Sequence, residues 1–333
     1  MSSAQTITDN NDTESLDNDV NNPGVDFQVK WVNEIRVNLS AVQRRIATLK
    51  NRRTVKKQWQ AAWLIKAVSC IDLTTLSGQD TPGKVRRLCA KARTPISLDL
   101  QKALNIEDLH ITTGAVCVYH EMVETAVKAL EGTNIPVAAV STGFPAGLSS
   151  FETRLAEIKA SVAAGAKEID IVITRGHVLN ANWSALYDEV NAFKAACGSA
   201  HMKSIISTGE LSTMNNVARA SMVAMMAGSD FIKTSTGMEA TNATLEVTLV
   251  MVRMIRQYNE LTGYRVGFKP AGGIGTAKDA INYLILMKEE LGDSWLNPNM
   301  FRFGASSLLA DIERQLDHHV TGRYSAFNRH PIS

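Results

Sequence analysis

Asp230-Phe231-Ile232-Lys233-Thr234-Ser235-Thr236-Gly237 and Val266-Gly267-Phe268-Lys269-Pro270-Ala271-Gly272-Gly273 follow one plan: a short apolar run, a terminal lysine, then a loop of small residues. A short apolar run bounded by turn residues reads as a strand buried on both faces, the kind that parallel sheets require. Between the two stretches, Leu245, Val247, Leu249, Val252 and Ile255 belong to a long apolar helix. Strand, helix and strand in this order form a parallel crossover unit.

The alternation extends in both directions. Strand candidates fall at 67–73, 115–119, 137–140, 169–173, 203–207, 230–233, 266–269 and 301–304. Leu155, Ile158 and Val162 recur at helical spacing between the third and fourth, and Ala277 to Leu291 gives a further helix closed by Gly292. A doubly wound sheet would often carry a phosphate loop straight after its first strand. Here that strand ends in Asp72-Leu73-Thr74-Thr75, with no GxGxxG behind it. Polar residues instead stand at the ends of several strands. That distribution predicts an α/β fold of the closed (β/α)8 TIM barrel type, whose site gathers at the C-terminal strand ends.

The barrel is expected over 64–333, including a C-terminal helix and tail. Residues 27–63 should form an N-terminal helical extension packed on it, with Val42, Ile46, Leu49, Trp59 and Trp63 supplying apolar faces. Residues 1–26 hold six acids and no lysine or arginine, which reads as a disordered acidic tail. Removing them leaves 35 basic against 27 acidic residues, a mildly basic body. Seven basic residues cluster between Arg44 and Lys57. No nucleic-acid reading motif accompanies them, so they read as solvated helix faces.

With 333 residues, 45% hydrophobic and 20% charged, the chain is neither wholly disordered, collagen-like nor a simple coiled coil. Cys70, Cys89, Cys117 and Cys197 are scattered and form no CxxC, as expected of reduced thiols in a cytoplasmic protein. The start carries no secretory signal pattern, and no run of apolar residues is long enough to span a membrane.

The two lysines define the chemistry. The ends of neighbouring barrel strands would aim Lys233 and Lys269 into one mouth. Two cations in a partly dry cavity disfavour protonation of at least one, and a neutral amine can attack a carbonyl to form a Schiff base. Strand position alone leaves open which lysine that is, and a lone lysine there could equally bind phosphate. Asp170, set between isoleucines, is the carboxylate expected to relay protons. Asp72 and Thr74 could bind substrate hydroxyls. Cys117 reads as a buried thiol near the site. Gly272, Gly273 and Gly275 can offer backbone N–H groups, and Ser306 or Ser307 could cap the final helix while its free N–H groups hold an anion. Together these imply a small phosphorylated metabolite. The histidines form no HExxH, and there is no GKS/GKT loop or GxSxG elbow.

The segments CIDLTTL (70–76), GAVCVY (114–119), EIDIVI (168–173), FIKTSTG (231–237), GFKPAGG (267–273) and FGASSLL (303–309) closely resemble the deoxyribose-phosphate aldolase family of eukaryotic type. The resemblance runs from about residue 30 to 333. It implies a class I aldolase without cofactor or metal that cleaves 2-deoxy-D-ribose 5-phosphate to acetaldehyde and D-glyceraldehyde 3-phosphate. It further implies Lys233 as the Schiff-base lysine, Lys269 as the neighbour that perturbs its pKa, and Asp170 as the relay. Asp72, Thr74, Cys117, Thr236, Gly237, Gly272, Gly273, Ser306 and Ser307 match substrate positions. Met238 stands where the family commonly has a second lysine, and Gly275 where a basic residue often follows. The chain ends in HPIS rather than the terminal tyrosine of some bacterial relatives, and Tyr324 does not align with it. The expected partner is a phosphorylated aldehyde sugar, acted on by a homo-oligomer, taken as a dimer, with no nucleic acid or membrane. A Schiff-base aldolase for another sugar phosphate and a noncatalytic scaffold are the competing readings.

Overall fold

A computed structural model, describing residues 21–52, 55–326 and 328–331, sets the apolar runs side by side in a seven-stranded parallel sheet whose spatial order follows the sequence. Helices α1 (Val29–Glu34), α2 (Leu39–Arg52) and α3 (Lys57–Ser69) come first and lead into β1 (Asp72–Thr74). Next are α4 (Pro82–Arg93), α5 (Leu98–Leu104), β2 (Ala115–Tyr119), α6 (Val123–Ala129) and β3 (Val137–Val140). The middle of the chain gives α7 (Phe151–Ala163), β4 (Glu168–Val172), α8 (Arg175–Leu179), α9 (Trp183–Cys197) and β5 (His201–Ile205). The last third holds α10 (Met214–Met226), β6 (Phe231–Lys233), α11 (Leu245–Thr262), β7 (Gly267–Lys269), α12 (Ala277–Leu291) and α13 (Ser307–Thr321). Thr81, Thr213, Thr244 and Thr276 start α4, α10, α11 and α12 by accepting the N–H three residues on.

The expected eighth strand is the main departure. Residues 301–304 are not a regular strand but make isolated parallel bridges, Phe268↔Phe301 and Ala271↔Gly304 on one side and Ile71↔Phe303 on the other. The backbone still bonds to both neighbours. Arg302 and Gly304 donate to Phe268 and Pro270, whereas Phe303 donates to Cys70 and its carbonyl accepts from Asp72. Alternate residues bond to opposite neighbours, as in any strand lying between two others, but each side gains only isolated bridges rather than a run of paired residues. What the sheet forms is a seven-stranded parallel sheet with flanking helices, not eight regular strands.

The first strand is also displaced. Of the run 67–73, residues 67–69 finish α3, because Ala61, Leu64, Ala67 and Val68 already form one buried helical stripe. An apolar run cannot by itself choose between helix and strand. The helix therefore crosses the expected boundary at 63. β4 and β5 begin before their apolar runs, at Glu168 and His201.

Val42, Ile46 and Leu49 are buried as expected, but Trp59 is 69% exposed. Most of the expected acidic tail, 1–20, lies outside the described residues. Its last part is docked: Asn22 is buried, donates to Met225 and Ser229 carbonyls at 2.8 and 2.9 Å, and accepts from the Tyr258 hydroxyl at 3.1 Å.

Candidate active site

β6 and β7 pair with Lys233 opposite Lys269, so the sheet register itself brings the two side chains together. Both are buried. Lys233 Nζ donates to Asp170 Oδ2 at 2.8 Å. Lys269 Nζ donates to the same oxygen at 2.8 Å and to Asp72 Oδ2 at 2.5 Å. Asp170 is carried by β4 and Asp72 by β1, so curling of the sheet assembles the group from distant segments.

Beneath lies a layer that the sequence reading did not assign. Lys203, on β5, is paired with Glu168 and lies 3.4 Å from Asp170 Oδ1. Arg302 donates to Asp72 Oδ1 at 2.6 Å and to Glu168 Oε1 at 2.8 Å. The buried network thus contains Lys203, Lys233, Lys269 and Arg302 against Asp72, Glu168 and Asp170. Fully ionised, it holds one positive charge too many for a dry interior, and loss of one proton balances it. The available signal was an ionisable residue inside an apolar strand: Glu168 beside Ile169, Lys203 at the head of an apolar run, Arg302 between two phenylalanines.

Burial is the first cause lowering the Lys233 pKa, with the Lys269 ammonium adding to it and Asp170 opposing. Burial also opposes charge on Lys269, but Asp170 and Asp72 overcome it and hold that lysine above its ordinary value. Burial would raise the carboxylates; the surrounding cations overcome it and hold Asp72 and Asp170 below the ordinary range. Asp170 Oδ1 is buried with no hydrogen-bond donor among the described residues. The Lys203 ammonium, 3.4 Å away, is its ion-pair partner in the middle of the cluster.

A separate apolar cluster of Cys117, Ala138, Val140, Phe144, Val172 and Ile205 accompanies this charged group, and the Phe144 ring centroid lies 6.0 Å from Lys233 Nζ. This wall keeps the amine away from bulk water. Burial pushes the Cys117 thiol up to about 11, so it stays protonated near neutrality.

The remaining expected residues fall into two groups. Gly237 and Gly272 are loop neighbours: a Cβ on the former would lie 3.9 Å from the Cα of the latter. Gly272 has φ +75°, and a Cβ there would approach Asn242 to 2.6 Å, so only glycine fits. Gly273 follows in the same loop, and a Cβ on Gly275 would stand 3.9 Å from the hydroxyl of exposed Ser307. The glycine loops and the start of α13 therefore form one contiguous rim.

Four residues are used differently from expectation. Asp72 spends its oxygens on Lys269 and Arg302. Ser306 occupies the N-cap of α13 without capping it; its hydroxyl donates to the Thr74 carbonyl at 2.6 Å and accepts the Thr74 N–H at 2.7 Å. The Thr74 hydroxyl donates to the Asp72 carbonyl. Thr236 is drawn to Glu239, which accepts its N–H at 2.9 Å.

A family model described as DeoC/LacD family aldolase matches residues 66–314. Human deoxyribose-phosphate aldolase is 59% identical over 314 residues, spanning 94% of this chain and 99% of that protein. The chain belongs to the deoxyribose-phosphate aldolase family. The mouse protein of that name is likewise 59% identical, over 93% of this chain and 98% of its own length. In fold, the chain is similar to the tetrameric deoxyribose phosphate aldolase from Aeropyrum pernix, with TM-score 0.56 and 21% identity over 84% of this chain and 99% of that one. As a member of the deoxyribose-phosphate aldolase family, the chain is a lyase that works on carbon–carbon bonds. Among the described residues, no group of three or more His, Cys, Asp or Glu is placed to hold a metal ion, and no helix is long and apolar enough to cross a membrane.

Proposed function

We propose that the chain reversibly cleaves 2-deoxy-D-ribose 5-phosphate to acetaldehyde and D-glyceraldehyde 3-phosphate as a class I aldolase, with Lys233 forming the Schiff base. The observation that carries the assignment is the in-register lysine pair sharing Asp170, with one pKa lowered and the other raised. It supports a division of labour that strand position alone left open.

Lys233 adds to the substrate aldehyde, and loss of water gives an iminium. A proton then leaves the C3 hydroxyl, the C2–C3 bond breaks, and its electron pair enters the iminium to give an enamine while glyceraldehyde phosphate departs. Asp170, whose Oδ1 faces the Lys203 ammonium without accepting a hydrogen bond, accepts and returns the proton, and Lys269 holds the developing charge. A water links Asp170 and Lys269 to the C3 hydroxyl in this scheme. Protonation of the enamine at carbon and hydrolysis release acetaldehyde and restore the amine.

The rim of Thr236, Gly237, Gly272, Gly273, Ser306 and Ser307 receives the phosphate, with Thr74 ordered by Ser306 beside it. Met238 and Gly275 leave that rim without two basic side chains. Residues 301–304 act as the eighth stave, closing a (β/α)8 barrel through alternate bonds to both edges. We take the working unit to be a cytoplasmic homodimer. Sedimentation analysis separates that from the tetramer described for the Aeropyrum pernix relative.

The test is incubation with deoxyribose 5-phosphate, borohydride reduction and mass mapping. An adduct on Lys233 is expected. An adduct on another residue, or none from folded protein, overturns the assignment, and faster turnover of a ketose phosphate would move the substrate to a different sugar.

A further inference from the structure

We infer that the opposite end of the sheet carries a second binding site, for a small phosphate-bearing anion, distinct from the aldolase site. A cavity of about 670 Å³ opens where the strands begin: at Gly114 before β2, Pro136 before β3, Glu168 on β4, His201 on β5 and Phe231 on β6. The proposed catalytic lysines terminate their strands at the far end. The volume lies within the range of small-molecule sites, about 300–1,000 Å³.

The lining sets the ligand's charge. Its titratable members among the described residues are Lys66, His110, Lys167, Glu168, His201 and Arg302. Glu168 is already engaged by Lys203 and Arg302. The fixed charges are three positive against one negative before either imidazole is protonated, and a concave wall focuses that field. Lys66 and Lys167 stand at the exposed rim. Lys66 Nζ gives one proton to the Leu296 carbonyl at 2.9 Å, which leaves two of an ammonium's three for a ligand. Ile65, Ile111 and Phe231 provide apolar wall for the carbon part of a phosphate ester.

What makes this more than a basic hollow is its floor. Arg302 is buried, lines the cavity, and donates to Asp72 Oδ1 at 2.6 Å. The other oxygen of Asp72 holds Lys269. An anion drawn to Arg302 weakens its hold on Asp72, and Asp72 then binds the Lys269 ammonium more strongly. The second site is therefore coupled to catalysis through a two-residue link.

Inorganic phosphate is the probe, at fixed pH and ionic strength, using the full chain. The imidazole NMR signals of His110 and His201, assigned through H110N and H201N, report on this wall and not on the aldolase rim. Saturable movement of both signals is expected in the wild type, weakened about tenfold or more in K66Q/K167Q, the loss expected for removing charge partners of a bound anion. The double variant, altered only at exposed residues, should cleave substrate normally without phosphate. Absence of saturable movement, or equal movement in the double variant, overturns the site. In the wild type, phosphate should alter kcat as well as raise KM by competition at the rim; in the double variant only KM should change. Identical kinetic responses would overturn the coupling. The histidine titration reads out whether or not Lys233 forms an imine, so its failure is separable from failure of the proposed reaction.

Discussion

The ends of β6 and β7 carry the same residue at the same position, both buried, and yet their pKa values move in opposite directions. Lys233 shares one oxygen of Asp170; Lys269 takes that oxygen and a second one from Asp72. The extra carboxylate helps hold Lys269 above its ordinary value, while burial and the neighbouring ammonium lower Lys233. Burial alone would have lowered both. The lesson is that a strand-end lysine acquires its chemistry from neighbours on other strands, and here from a residue 197 positions away in the chain.

Removing either partner is the most severe way to break the comparison. Lys233→Met should lower cleavage by about a thousandfold or more, as loss of a nucleophile does, and abolish borohydride trapping. Lys269→Met should lower kcat/KM near neutrality by roughly a hundredfold but retain the adduct on Lys233. The sign of its pH effect follows from charge. Only the unprotonated amine attacks, so the rate rises with pH through the Lys233 pKa. Loss of the neighbouring cation raises that pKa, and the rise should move to higher pH. A pH–rate profile that does not move would mean that Lys269 acts in some other way.

Asp72→Asn should erase much of the asymmetry. Lys269 loses the carboxylate that distinguishes it and Arg302 loses a partner, so a buried ionic network is broken, at a cost of about 3–5 kcal/mol in chemical denaturation. Trapped adduct should begin to appear on Lys269; mapping solely to Lys233 would show that Asp72 is not the discriminating group. The pH dependence of stability should change as well. The folded pKa of Asp72 lies below its unfolded value, so its contribution is present above about pH 4 and is lost as pH falls through the depressed folded value. The variant should lack that part of the acid limb.

A gentler probe is Gly304→Ala. Its Cβ would meet Ala271 Cβ at 2.8 Å and Lys269 Cε at 3.2 Å. Overpacking of this kind costs about 1–3 kcal/mol, and the displaced Lys269 should reduce kcat more than it raises KM. Unchanged kcat and stability would show that the β7 end has slack. Cys117→Ala should be the mildest, lowering stability by about 1 kcal/mol and leaving imine trapping intact, because the buried thiol remains protonated near neutrality. Loss of trapping would implicate the thiol in the chemistry.

Much of the scaffold was legible because its signals are local. The stripe Leu155, Ile158, Val162 lies in α7, and Ala277 to Leu291 with its Gly292 stop gives the bounds of α12. The short runs ending in Lys233 and Lys269 became neighbouring strands. Where a pattern was ambiguous, packing decided: residues 67–69 joined the stripe of α3, and 301–304 divided its hydrogen bonds between two edges. Asp170 was recognisable as a charge inside a buried strand. Glu168, Lys203 and Arg302 carried that same signal, but their partners come from β1, β4, β5 and the segment after β7, which no spacing along the chain relates.

The sequence by itself determined the order of strands and helices, the placement of two lysines at strand ends and the glycine-rich rim, because hydrophobic periodicity and backbone permissiveness act over a few residues. Only the tertiary structure decided which lysine is held charged, that Asp72 serves a cation, and that Arg302 ties Asp72 to Glu168. Those are Coulombic and desolvation effects, and they depend on distances between groups that the curled sheet, not the chain, makes short.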